Sequence, residues 1–110
     1  MGAEHEVARL LSEGGWCLLD RNWCGGGGEL DVVAARKGVV HFVEVKARRT
    51  ALDDGLQSVT PAKRRKLARA ANAWIARHPV PRDGYRMSVA VVSKDGGAWC
   101  VEWWWDAFDV

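Results

Sequence analysis

Residues 28–49, GELDVVAARKGVVHFVEVKARR, hold two apolar, β-branched runs separated by Arg36-Lys37-Gly38. Such a pattern predicts a hairpin, with strands at about 29–35 and 39–47. What constrains the chain is the charge inside those strands. Asp31, Glu44 and Lys46 lie within the runs and not at their ends. A charge in a buried strand is costly unless it is paired, hydrogen-bonded or bound to a metal. Strand side chains alternate faces, so Glu44 and Lys46 share one face and Val45 points into the core behind them. If Ala35 pairs with Val40, then Val33 meets Phe42 and Asp31 meets Glu44. A slip of one residue sends Asp31 to the other face. In the expected register two carboxylates and an ammonium converge at one end of the sheet.

Two close carboxylates resist ionising together, and a divalent cation removes the conflict. Mg²⁺ takes hard oxygen ligands, commonly one or two carboxylates with waters and phosphate oxygens. It can polarise a phosphodiester and lower the pKa of a bound water. Lys46 could stabilise developing charge or hold the attacking water. From spacing alone, an exposed Glu–Lys pair on a solvated sheet face is the more frequent outcome.

The rest of the chain supplies the frame. Its 110 residues suit one compact domain, residues 1–110. Val7, Ala8, Leu10 and Leu11 recur at helical spacing within 4–13, and Gly14-Gly15 stops that helix. Residues 16–23 predict a first strand, and Gly25 to Gly28 a mobile loop able to approach a phosphate backbone. Residues 48–60 predict a loop. Thr60-Pro61 predicts a helix start, because threonine caps free N–H groups and proline suits the first turn. That helix is expected to reach about His78, with Leu67, Ala70, Ala71, Trp74 and Ile75 as its apolar stripe. Residues 85–93 and 98–104 predict two last strands turned at Lys94-Asp95-Gly96-Gly97. The order αβββαβ(β) implies an α/β fold with a central mixed sheet flanked by helices.

The segments GELDVVA, FVEVKARR and SVTPAKRRKLARAANAWIA resemble the YraN family of small bacterial proteins. That family resembles the restriction-endonuclease-like, PD-(D/E)XK nucleases, Holliday-junction resolvases in particular. The resemblance implies a restriction-endonuclease-like core with Asp31 and Glu44-Val45-Lys46 as the nuclease motif. Asp31, Glu44 and the Val45 carbonyl would then bind Mg²⁺ or Mn²⁺. Glu4 falls where the superfamily carries a first-helix glutamate, with Glu6 as its competitor. Gln57 resembles the polar residue often found beside such sites. The chain departs from the family where Ala3 replaces a glycine and where Ser88 stands for a common aspartate.

Lys46, Arg48, Arg49, Lys63, Arg64, Arg65, Lys66 and Arg69 bracket these acids in sequence. Arg48, Arg49, Lys63, Arg64 and Arg65 are the candidate phosphate contacts, against the alternative of a solvated helix face. Nucleic acid, with DNA favoured, is the expected partner. The expected reaction is metal-dependent hydrolysis of DNA phosphodiesters, including branched or structured DNA. The alternative is a catalytically silent nucleic-acid-binding module. Trp103, Trp104 and Trp105 cannot share one strand face, so at least one is expected at the surface; core packing with a partly exposed edge is the favoured reading, against stacking on a base or a homodimer patch. Trp16, Trp74 and Trp99 fit core positions. His41 is opposite in parity to Glu44 and receives no catalytic role. Cys17 and Cys24 are expected to pack as small apolar groups. No signal peptide or membrane helix is expected. Three cysteines without a Cys-x-x-Cys pair fit a reducing, cytoplasmic setting without a membrane partner.

Overall fold

A computed structural model describes residues 2–48 and 58–109. Helix α1 (Ala3–Glu13) precedes β1 (Cys17–Gly25), β2 (Gly28–Arg36) and β3 (Val39–Ala47). Helix α2 (Pro61–Arg77) then leads to β4 (Gly84–Asp95) and β5 (Ala98–Phe108). The five strands form one sheet in the order β1-β2-β3-β4-β5. Only β3 and β4 pair in parallel, with α2 in the crossover between them; the other neighbours are antiparallel. This mixed α/β architecture is consistent with a restriction-endonuclease-like core.

Each helix covers one face. Val7 and Leu11 of α1 pack on Val32, Ala34, Val43, Ala90 and Val92. Leu67, Ala70, Ala71 and Trp74 of α2 pack on Val33, Ala35, Val40, Phe42, Val89 and Val91, with Ile75 at the margin. The split follows strand alternation, even positions of β3 facing α2 and odd positions facing α1. The expected stripe of α2 is therefore its packed face. Thr60 caps the helix, its hydroxyl accepting from Lys63 N–H at 3.2 Å. Trp74 is only 1% exposed, and its indole N–H finds Asp20 Oδ2 at 2.8 Å.

Two expectations are corrected. Gly25 to Gly28 is no mobile loop: Gly25 pairs with Gly28 and only Gly26 and Gly27 make the turn, both at positive φ. The turn lies against α2. A Cβ at Gly26 would sit 2.5 Å from the Arg69 carbonyl oxygen, and one at Gly28 2.7 Å from that of Lys66. Glycine is needed here for close backbone approach. Second, Cys17 and Cys24 are exposed, not packed, because β1 is an edge strand whose bulge between Leu18 and Asp20 breaks simple alternation. Cys100 is exposed as well, and all three thiols are free.

Candidate active site

The β2–β3 ladder contains Ala35↔Val40 and Val33↔Phe42, the expected register, and ends at Val32↔Val43. Beyond that point β2 loses its alternation: Leu30 packs on the α2 side and Val32, two residues on, on the α1 side. Asp31 sits at this break. Its Oδ2 accepts the Val45 N–H at 2.9 Å, so a side chain continues the bonding that the backbone ladder abandons. The N–H and C=O of a strand residue lie on the same side, which turns the Val45 carbonyl toward Asp31 as well.

Glu44 is 7% exposed. Burial pushes its carboxyl up to about 8, reinforced by hydrogen bonding to Asp31 and by the Asp31 charge. The Lys63 ammonium opposes this rise; its Nζ lies 3.3 Å from Glu44 Oε2. The amine that meets the acids thus comes from the first turn of α2. Lys46 is half-buried, shares Glu44's strand face by alternation, and forms no ion pair with another described residue.

The α1 side contributes Glu4. Its carboxyl is pushed above the usual range by burial, then by the charges of Asp31 and Glu29, with Arg21 opposing. Glu6, the competing acid, is held by Arg9 Nε at 3.0 Å and is pulled down by that hydrogen bond. Glu4, not Glu6, therefore shares the electrostatic environment of Asp31. A cleft of 380 Å³ lined by Glu4, Arg21 and Val45, among others, opens at this end of α1.

The expected phosphate contacts separate. Arg65 is exposed on α2. Arg64 is drawn inward: its Nε donates to Val59 O at 3.0 Å and its guanidinium lies 5.0 Å from the Phe108 ring centre. Arg48 is half-buried, with its N–H donating to Val92 O at 2.7 Å and its Nε without a hydrogen-bond partner among the described residues. Arg49 and Gln57 lie outside the described residues.

Sequence reasoning missed two participants. From the sequence, Lys63 is only a candidate phosphate contact, since nothing local ties the start of α2 to β3. Arg21 was legible in principle: a two-glycine turn pairing Gly25 with Gly28 places Arg21 opposite Val32, next to Asp31.

The donor set suits a hard divalent cation. Among the described residues no three His, Cys, Asp or Glu side chains gather into a cage. Asp31, Glu44 and the Val45 carbonyl would supply part of a shell and leave the remainder to water and substrate oxygens, the habit of Mg²⁺. The raised Glu44 carboxyl is the electrostatic conflict such an ion would relieve.

Two helices enclosing a mixed sheet, with an acid pair where two of its strands part, define the class of this α/β protein. Residues 3–92 match the sequence model of the uncharacterised protein family UPF0102. A UPF0102 protein of Parasynechococcus marenigrum is 46% identical over 103 residues, which cover 89% of this chain and 76% of its own length. One of Methylocella silvestris is 46% identical over 77 residues, 70% of this chain and 61% of its own. One of a Synechococcus species is 40% identical over 104 residues, 92% of this chain and 86% of its own. The chain belongs to UPF0102, the YraN family whose resemblance its motifs carry. No helix among the described residues is long and apolar enough to cross a membrane.

Proposed function

We propose that this protein hydrolyses phosphodiester bonds in DNA, branched or structured DNA included, with Mg²⁺ or Mn²⁺ at Asp31 and Glu44. The observation that carries this reading is the Asp31–Glu44 pair, whose proximity and burial hold the Glu44 carboxyl near 8. When bound, the ion would polarise a phosphoryl oxygen and acidify a water. The chain's own residues do the rest. Asp31 and Glu44 bind through carboxylate oxygens and the Val45 carbonyl completes the protein's share. Lys46 holds the attacking water or meets the charge that develops on phosphorus oxygens. Glu4 supports Asp31 from α1, and Gln57 orients water or phosphate. Water oxygen bonds to phosphorus, one ester P–O bond breaks, and a phosphomonoester and a hydroxyl result. Arg65 and Arg49 hold flanking phosphates, while Arg48 and Arg64 are half-buried and Lys63 is paired with Glu44. The exposed thiols fit a reducing cytoplasm, where this substrate lies.

The test is cleavage of end-labelled four-way-junction and linear DNA with Mg²⁺, Mn²⁺ or EDTA. Metal-dependent products from the wild type, lost in Lys46→Ala and Asp31→Asn, support the reading. Equal cleavage by both variants and wild type removes the site assignment.

A second reading, a nucleic-acid-binding module without turnover, draws on the Lys63–Glu44 ion pair. That ammonium already neutralises part of the acid charge with no ion present. Binding in the same assay without products selects this reading.

A further inference from the structure

At the start of β3, on the sheet face opposite Glu44, lies a cavity of 520 Å³. Trp16, Arg36, Lys37, His41, Arg86 and Trp105 line most of it. We propose that this cavity binds an unpaired nucleotide of a single-stranded nucleic acid, its base stacked on Trp16 and its phosphates held by Arg36, Lys37 and Arg86. The site is separate from the acid pair, and the proposal does not rest on catalysis there.

The aromatic part is built as a column. Trp105 stacks on Trp103 with ring centres 4.8 Å apart and planes 5° apart, and on Trp16 at 5.1 Å and 11°. Trp105 therefore joins the other two rings and stays 42% exposed itself. Trp16 stacks on Trp105, and the Arg36 guanidinium lies over its ring, 5.7 Å from the centre. Arg36, an exposed, long and flexible side chain, covers the Trp16 ring and must lift for a base to enter. A base entering there lies between an indole and a guanidinium, the two surfaces on which unstacked bases rest.

The walls are tied together by ring contacts and hydrogen bonds. His41 stands edge-on to both Trp16 and Trp105, at 5.1 and 5.4 Å. Its Nδ1 lies 2.9 Å from the buried Ser88 Oγ, which also accepts the Asp106 N–H at 3.1 Å. That second bond holds the β5 bulge, where Asp106 takes φ of 53° and the register shifts between Met87 and Val89. Ser88, the residue that departs from the family's aspartate, thus fastens the pocket wall.

The charge selects the ligand. Arg36, Lys37 and Arg86 face the cavity against one carboxylate, Asp106, which lies 3.7 Å from Arg86 Nε. Arg36 and Lys37 form no ion pair with another described residue. Burial and the charge of Arg86 hold His41 below its usual pKa, so it adds an uncharged wall at neutral pH. A cationic cavity walled by indole rings fits a ligand that is anionic and aromatic at once, as a nucleotide is. Its volume lies in the range of small-molecule sites.

The experiment measures anisotropy of a fluorescein-labelled thymidine octamer, with a uridine octamer, an abasic octamer and a blunt duplex as comparisons. The expected result is binding of both base-bearing octamers, in DNA or RNA, with the abasic octamer and the duplex about tenfold weaker. Arg36→Glu/Lys37→Glu alters only exposed side chains and is expected to weaken the octamer by at least about tenfold. Trp16→Phe, which keeps a packed ring, weakens base-bearing octamers and leaves the abasic one unchanged. Octamer binding is the same in EDTA as in Mg²⁺, which separates this site from the acid pair. No octamer binding, equal binding of the abasic octamer, or an Arg36→Glu/Lys37→Glu variant that binds normally overturns the proposal.

Discussion

Asp31 Oδ2 accepts the backbone N–H of Val45 at 2.9 Å, so one carboxylate both extends the sheet and faces the Glu44 carboxyl. Removing it therefore has two consequences. Asp31→Ala leaves a strand N–H without its acceptor, a loss of about 1–3 kcal/mol in stability. Asp31→Asn keeps an oxygen for Val45 but removes the charge. Urea denaturation is expected to show Asp31→Ala clearly destabilised and Asp31→Asn near wild type. Equal stability of the two variants contradicts the structural half of this role. The asparagine is accordingly the variant that isolates chemistry from folding.

Glu44 predicts a pH dependence of stability. Its carboxyl is raised from 4.5 to about 8 in the folded protein, by burial first and Asp31 next. The folded state thus holds the proton more tightly than the unfolded chain. The contribution is fully present below about pH 4.5 and is lost as pH rises through about 8, on the order of a few kcal/mol. Glu44→Gln stays neutral at every pH. Thermal melts are expected to show the variant gaining on the wild type from pH 5 to 9, roughly the window between those two values. Parallel curves across that window refute the assignment.

Lys63 opposes the rise of Glu44 across 3.3 Å. Lys63→Met is expected to move the Glu44 titration further up, read by carboxyl ¹³C chemical shift. The pair is half-exposed at the lysine, so solvent screens it and the effect on stability is small, about 1 kcal/mol or less. A downward or absent shift shows that Lys63 does not face the acid in solution.

The glycine turn gives a packing test. Gly28→Ala places a methyl 2.7 Å from the Lys66 carbonyl oxygen, which is backbone and cannot swing aside. A loss of about 1–3 kcal/mol is expected from forcing β2 and α2 apart. A flexible loop would absorb the same methyl without cost, so an unaltered denaturation midpoint favours flexibility over packing.

Trp74 and Asp20 supply a control far from the acids in sequence. Asp20→Ala leaves a buried indole N–H unpaired, with an expected loss of about 1–3 kcal/mol and unchanged cleavage or binding of DNA. Loss of DNA binding in a folded Asp20→Ala protein contradicts that separation.

The hairpin register, the stripe of α2 and the cap at Thr60 were all legible in the chain. Each depends on neighbours a few residues apart, where periodicity and turn chemistry act. That Asp31 would lie beside Glu44 and Val45 was legible for the same reason, since a short hairpin converts sequence distance into cross-strand contact. The exposed thiols of Cys17 and Cys24 were not, because exposure depends on which strand lies at the edge of the sheet. The packed glycine turn escaped because its partner, the backbone of α2, lies some forty residues downstream, and only close approach distinguishes a tight turn from a loose one.

By itself, the amino-acid order determined which segments become strands and helices, and that acids would stand inside a buried hairpin. Tertiary structure alone decided that Lys63 meets Glu44, that Glu4 rather than Glu6 feels Asp31, and that three tryptophans stack into a column beside Arg36. Local pattern follows from the geometry of one turn or one pleat. Electrostatic fields and ring stacking act through space between segments distant in the chain, so they exist only once the sheet has closed between its helices.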